Sequence, residues 1–223
     1  MTIHLDPSVV SPPPVRGAGR GRFYAGQTGE ERDAARRERL LNAIHEIVGT
    51  RGYQALTVER LCTAAGVSTR NFYDLYDGKE AAFADLYDVL LNQAGLRVIR
   101  ALGESQGLPI QDRIPAALLA FLSPMLADPR TARIAFVEVV GLSPRIEETR
   151  LANREKLIEL IESSASTAVD TGEISTRDFR FASIALISAT TALVFDWMSR
   201  DKRPPHEWLE LKLTQLAVHL LTS

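Results

Sequence analysis

Apolar residues recur every three or four positions along most of the chain, and nowhere do they alternate in twos for the length of a strand. Leu40, Leu41, Ile44, Ile47 and Val48 make one stripe, which predicts a helix over about 31–50. Gly52 ends it and Tyr53 plugs the core beneath. Thr57 is an N-cap candidate, because its hydroxyl can accept from the open amides of a first helical turn. Behind it Val58, Leu61, Cys62 and Ala65 return at helical spacing. Gly66 stands where that helix must stop, at a position that tolerates a left-handed backbone. Val67 plugs the turn, and Ser68 caps a second short helix over 68–75. From Lys79 the pattern predicts helices over 79–102, 111–127, 129–140, 144–170, 176–201 and 205–221, with Pro or Gly at each break. Pro115 and Pro124 predict a kink in the second of these.

The second short helix is too polar for a core element. It carries Thr69, Arg70, Asn71 and Tyr73 on one stretch. Arginine can fork onto guanine O6 and N7, and asparagine can pair with adenine N6 and N7. Threonine and tyrosine hydroxyls and lysine reach phosphates. Two helices joined by a short turn containing glycine form a helix-turn-helix. A plain αα-hairpin would share its cap, glycine and cap, but not this display of side chains.

The block from Thr57 to Phe83 resembles the TetR family of bacterial transcriptional regulators. The resemblance rests on Gly66-Val67-Ser68, Phe72-Tyr73, Tyr76, Lys79-Glu80 and Phe83, and extends back through Gly52-Tyr53 and Thr57-Val58, covering roughly 33–88 at motif level. It implies that Thr57, Tyr73 and Lys79 contact phosphates, and that Thr69, Arg70 and Asn71 lie where bases are read. Ser68 completes the DNA-binding set. Asp74 is left out, because a carboxylate repels phosphate. The implied fold is all-α: an N-terminal three-helix helix-turn-helix DNA-binding domain (30–78) and a C-terminal helical bundle for ligand binding and dimerisation (79–223), preceded by a disordered arm (1–29).

In the bundle, Ala182, Ala185, Ala189 and Ala192 are small and helically spaced, with Ile184, Leu186 and Leu193 around them. Trp208, Leu209, Leu211, Leu213, Leu216, Leu220 and Leu221 make the last helix apolar on more than one face. Such an excess suits burial against a second copy, and the resemblance implies a four-helix dimer interface built from these two helices. Phe121, Met125, Phe136, Phe181, Phe195 and Trp197 are bulky groups on separate helices. Family members often bind a small molecule among such groups and then release DNA. Phe121, Met125, Phe136 and Trp197, with Glu138 in the apolar run 134–140, are the ligand-binding candidates. Asn153 and Asp196 are further polar candidates.

Charge refines this picture only slightly. The net charge is −2, but the first 73 residues hold ten Arg against seven Asp or Glu, a net +3. A mildly positive head on an acidic body orients toward a polyanion and predicts salt-sensitive binding. In the arm, Arg16, Arg20 and Arg22 lie among glycines; the arm is either a plain tail or a minor-groove reader. Arg32, Arg36 and Arg39 share one face of the first helix and are candidate phosphate contacts.

A single cysteine, Cys62, excludes an internal disulfide and reads as a small buried thiol. The four histidines are scattered without ligand spacing, so no metal and no cofactor are expected. No phosphate loop, nucleophile elbow or His-Glu helical metal motif is present, so no enzyme is expected. No run reaches the roughly 18 apolar residues of a membrane span, and the chain is read as soluble and cytoplasmic. The expected function is a sequence-specific transcriptional regulator, a repressor released from a palindromic double-stranded DNA operator by a small apolar effector. The alternatives are a regulator without a small ligand, and a helical dimeric adaptor or enzyme lacking DNA binding.

Overall fold

The computed structural model describes residues 28–222. The arm predicted over 1–29 therefore lies outside the described residues, apart from Thr28 and Gly29. The described residues are helical, without strands, in the order α1 (Gly29–Arg51), a 3-10 turn (Tyr53–Ala55), α2 (Val58–Ala65), α3 (Thr69–Tyr73), α4 (Lys79–Glu104), α5 (Ile110–Leu126), α6 (Pro129–Arg133), a π-turn (Ile134–Glu138), α7 (Pro144–Asp170), α8 (Phe179–Ser199) and α9 (His206–Thr222). They form two compact units, divided after Leu90.

Local chemistry sets the ends. Thr28 and Glu31 form a reciprocal capping box: Glu31 N–H donates to Thr28 Oγ1 at 3.2 Å, and Thr28 N–H donates to Glu31 Oε2 at 2.7 Å. That is why α1 starts before the apolar stripe does. Ser143 caps α7 with Pro144 at its first position, and Asp178 caps α8 by accepting from Phe181 N–H at 2.9 Å. The Asp178 cap starts α8 three residues later than the sequence pattern predicts.

In the first unit α1 packs on α2 and α2 on α3. The core holds Leu40, Leu41, Ile44, Leu56, Leu61, Phe72, Phe83 and Leu86, all essentially sealed. Tyr53 is buried beside Phe83, ring centroids 5.1 Å apart in an edge-to-face contact.

In the second unit α9 packs on α5 and α8, and α8 on α7. Ala165, Phe179, Ala182, Leu186, Ala217 and Leu221 form a buried cluster there. The helix α5 continues through Pro115 and Pro124 as one element.

The stretch predicted as a single helix over 129–140 differs. It is α helical only to Arg133 and then widens into the π-turn, which buries Ile134, Ala135 and Phe136 in succession. A π-turn brings i and i+5 into register, and Arg133 Nε donates to Glu138 Oε1 at 2.8 Å across it.

A second correction concerns α8. Its length and composition meet those of a membrane span, because its serines and threonines interrupt the apolar run without adding charge. One face, including Phe179, Ala182, Leu186, Val194 and Trp197, is nevertheless buried within the unit.

Candidate nucleic-acid interface

The reading unit is assembled from short-range bonds. Thr57 Oγ1 accepts from Arg60 N–H at 3.2 Å and opens α2. Gly66 closes it with φ 61°, and Val67 N–H bonds back to Cys62 O at 3.0 Å. Val67 is buried in the turn. Ser68 Oγ then accepts from Asn71 N–H at 3.2 Å and opens α3. Each cap of this kind contributes about 1 kcal/mol, a large share for helices of eight and five residues.

Phe72 anchors α3. Its side chain is fully buried, and its ring lies 5.3 Å from Tyr73 and 5.7 Å from Tyr76. With Phe72 inward, the helical period turns Ser68, Thr69, Arg70 and Tyr73 outward and leaves Asn71 half-buried. Tyr73 is 56% exposed, a high value for an aromatic ring in a folded unit. Asp74 is also exposed.

Lys79 stands at the start of α4. Its ammonium donates to Leu56 O at 2.9 Å and lies 4.6 Å from the Tyr53 ring centroid. Those contacts fix its position, and an ammonium carries three donors. The arginines on the α1 face are partly engaged. Arg36 Nη1 pairs with Asp33 at 2.6 Å, and Arg39 Nη1 donates to Gly66 O at 3.2 Å, closing the end of α2. Cys62 is buried, as its place on the apolar face predicts; burial pushes its thiol up, and a hydrogen bond with Thr69 opposes this.

Sequence reasoning missed one group. Arg37 of α1 donates Nε to Asp85 Oδ2 at 2.6 Å and Nη2 to Asp85 Oδ1 at 2.5 Å, and Tyr76 Oη donates to the same Oδ2 at 2.5 Å. A signal was present: Arg37 lies three and four residues before Leu40 and Leu41, so it stands in line with the apolar stripe of α1, one turn ahead of it, rather than extending the Arg32, Arg36 and Arg39 face.

Residues 40–86 match the family model described as "Bacterial regulatory proteins, tetR family". EthR of Mycolicibacterium smegmatis, an HTH-type transcriptional regulator, is 30% identical over 129 residues, 58% of this chain and 57% of that protein. Residues 40–86 thus form a TetR-family DNA-binding segment. YhgD of Bacillus subtilis, another HTH-type transcriptional regulator, is 22% identical over 170 residues, 76% of this chain and 87% of that protein. The fold is shared with the fatty acid degradation regulator FadR from Bacillus halodurans (TM-score 0.71, 16% identity, 82% of this chain and 94% of that one). It is also shared with FadR from Bacillus subtilis, solved in complex with stearoyl-CoA (TM-score 0.68, 17% identity, 81% and 96%). The protein is thus a helix-turn-helix transcriptional regulator, and the two relatives are transcriptional regulators as well.

The second unit places the sequence-derived ligand candidates as follows. Phe121 is half-buried on α5, Met125 is buried one turn later, and Phe136 is buried in the π-turn. Trp197 is buried on α8, donates Nε1–H to Pro204 O at 2.9 Å and lies under the Arg203 guanidinium. Glu138 is mostly buried and ion-paired with Arg133. The helix α8 packs against the π-turn, and α5 against α6.

Three other candidates are placed otherwise than the sequence suggested. Phe181 and Phe195 face outward, 70% and 51% exposed, so they are not core aromatics of the unit. Asp196 is exposed and paired with Arg200 at 2.6 Å. Asn153, by contrast, is buried, with Nδ2 donating to Thr149 O at 3.0 Å.

Proposed function

We propose that this regulator reads a palindromic operator as a homodimer, with Arg70, Asn71 and Thr69 meeting bases and Thr57, Ser68, Tyr73 and Lys79 meeting the backbone. The observation that carries the reading is the polarity of α3: Phe72 inward and sealed, Arg70 and Tyr73 outward. Two such helices would sit one duplex turn apart, about 34–36 Å, or a multiple of it. The outward apolar residues of α8 and α9, among them Phe181, Phe195, Trp208 and Leu211, support the second copy.

Genome-wide mapping of bound sites, followed by fluorescence-anisotropy titration on the recovered sequence, tests the reading. Arg70→Ala is expected to cost about 1–3 kcal/mol on the operator and to relax preference at one base position. Tyr73→Phe should weaken all sequences alike. Equal losses on every sequence for both variants would show that the two roles are misassigned.

We further propose that the protein is a cytoplasmic repressor released by a small apolar effector held in the second unit near Phe121, Met125, Phe136, Glu138 and Trp197. Support comes from the buried apolar groups on α5, the π-turn and α8 and from the stearoyl-CoA bound by one structural relative. The helix α4 belongs to both units, and an effector acts only through different affinities for the DNA-bound and released states. Stearoyl-CoA is the first probe: added to the protein–operator complex it is expected to lower anisotropy, and Phe136→Ala to blunt the response. An operator complex indifferent to acyl-CoA thioesters of every chain length would remove this ligand class.

A further inference from the structure

Asp85 sits on the second turn of α4 and is gripped from two sides, by Arg37 of α1 and by the Tyr76 hydroxyl. Arg37 and Tyr76 are each only 6% exposed. The cluster is an inefficient source of stability. Burial opposes the Arg37 charge, although the hydrogen bonds and charge of Asp85 outweigh it, and Nη1 of the same guanidinium is buried without a partner. Buried ion pairs can often be replaced by apolar groups without loss, and their best-attested use is to fix one arrangement among several.

The arrangement here is that of the recognition helix. Tyr76 lies three residues past the end of α3, with its N–H bonded to Phe72 O at 2.9 Å and its ring against the Phe72 anchor. Burial and the adjacent Asp85 charge hold its phenol far above the usual range, so it remains a proton donor. A single carboxylate thus joins the exit of α3 to α1 and α4.

We propose that Asp85 is a positioning residue which, through Tyr76 and Arg37, fixes the pose of the recognition helix and so sets discrimination between operator and random DNA. This rests on the DNA-reading assignment above. Base-edge contacts demand placement within fractions of an ångström, whereas phosphate contacts tolerate small shifts and carry no sequence information. Loosening the latch should therefore weaken specific binding and spare non-specific binding.

The test is anisotropy titration of operator and scrambled duplexes at a temperature well below melting, with wild type, Tyr76→Phe, Asp85→Asn and the double variant, each with its melting curve. Tyr76→Phe removes one hydroxyl and keeps the ring that fills the core. It is expected to weaken operator binding about tenfold, the scale of one hydrogen bond to a charged group, and to leave scrambled DNA within about twofold. The double variant should lose less than the two single losses summed, because Tyr76→Phe removes the Tyr76–Asp85 bond and Asp85→Asn weakens that same bond by removing its charge. Asp85→Glu, which restores the charge, should recover part of the discrimination. A fall in melting temperature with an unchanged operator-to-scrambled ratio would overturn the proposal, and so would losses that simply add. Wild type without operator preference would overturn the DNA reading and this proposal with it. Wild type with preference, and variants equal to it, would overturn the proposal alone.

Discussion

A Phe72→Ala variant is expected to lose operator binding and the folded state of the reading unit together. Phe72 is fully buried and is the sealed residue of a five-residue helix. A helix that short has no stability of its own in water and persists only by packing. Truncating a buried phenylalanine costs about 3–5 kcal/mol, against a total of about 5–15 kcal/mol for a typical domain. The same change removes the surface on which Tyr73 and Tyr76 lean, so what remains of α3 has neither a fixed tilt nor a fixed azimuth. The check is a thermal melt by circular dichroism with limited proteolysis, where cleavage between Thr57 and Tyr76 should appear before cleavage in the second unit. Phe72→Leu keeps most of the volume and should cost under about 1.5 kcal/mol. A Phe72→Ala protein with wild-type melting and operator affinity would mean that α3 is held by something other than this plug.

The turn that presents that plug was legible in the sequence because its determinants are local, whereas Phe72 entered only as part of the family resemblance. Thr57, Gly66 and Ser68 act on neighbours within four residues, through caps and a left-handed turn that other residue types satisfy poorly. Asp85 was not legible in the same way. Its partner Arg37 is 48 residues away, and only the three-dimensional crossing of α1 and α4 brings them together. The trace it left was an arginine in line with an apolar stripe, one turn ahead of it. The π-turn at Ile134–Glu138 escaped for another reason: over five residues, apolar spacing cannot separate 3.6 residues per turn from a wider winding. Phe181 and Phe195 escaped because α8 is apolar on nearly every side, so the pattern cannot tell the face turned into the unit from the face turned away.

That outward face leads to the other large effect. Replacing both Phe181 and Phe195 by aspartate is expected to convert a dimer to a monomer and to weaken binding to a palindromic operator by about 10²–10⁴, the advantage that linking two weak sites confers. Phe181, Ala185, Ser188, Ala192 and Phe195 lie at i, i+4, i+7, i+11 and i+14 on α8, which is one side of a helix. Leu193 on the same helix, and Trp208 and Leu211 on α9, are also 40% or more exposed, and α9 packs against α8. Soluble monomers rarely leave contiguous apolar surface of that kind in water. A second copy would cover it about a twofold axis, and that axis would also relate two recognition helices. Aspartates there would be solvated in the monomer and stranded in the dimer, so association pays a desolvation cost with no compensating partner. Both substituted positions are exposed, so the melting temperature should change little, which separates this outcome from unfolding. Sedimentation velocity reads the assembly state, and anisotropy on a full palindrome and on a single half-site reads the coupling. The half-site affinity should be nearly unchanged, since α3 is untouched. A double aspartate variant that remains dimeric and keeps its preference for the full palindrome would place the interface elsewhere on the molecule.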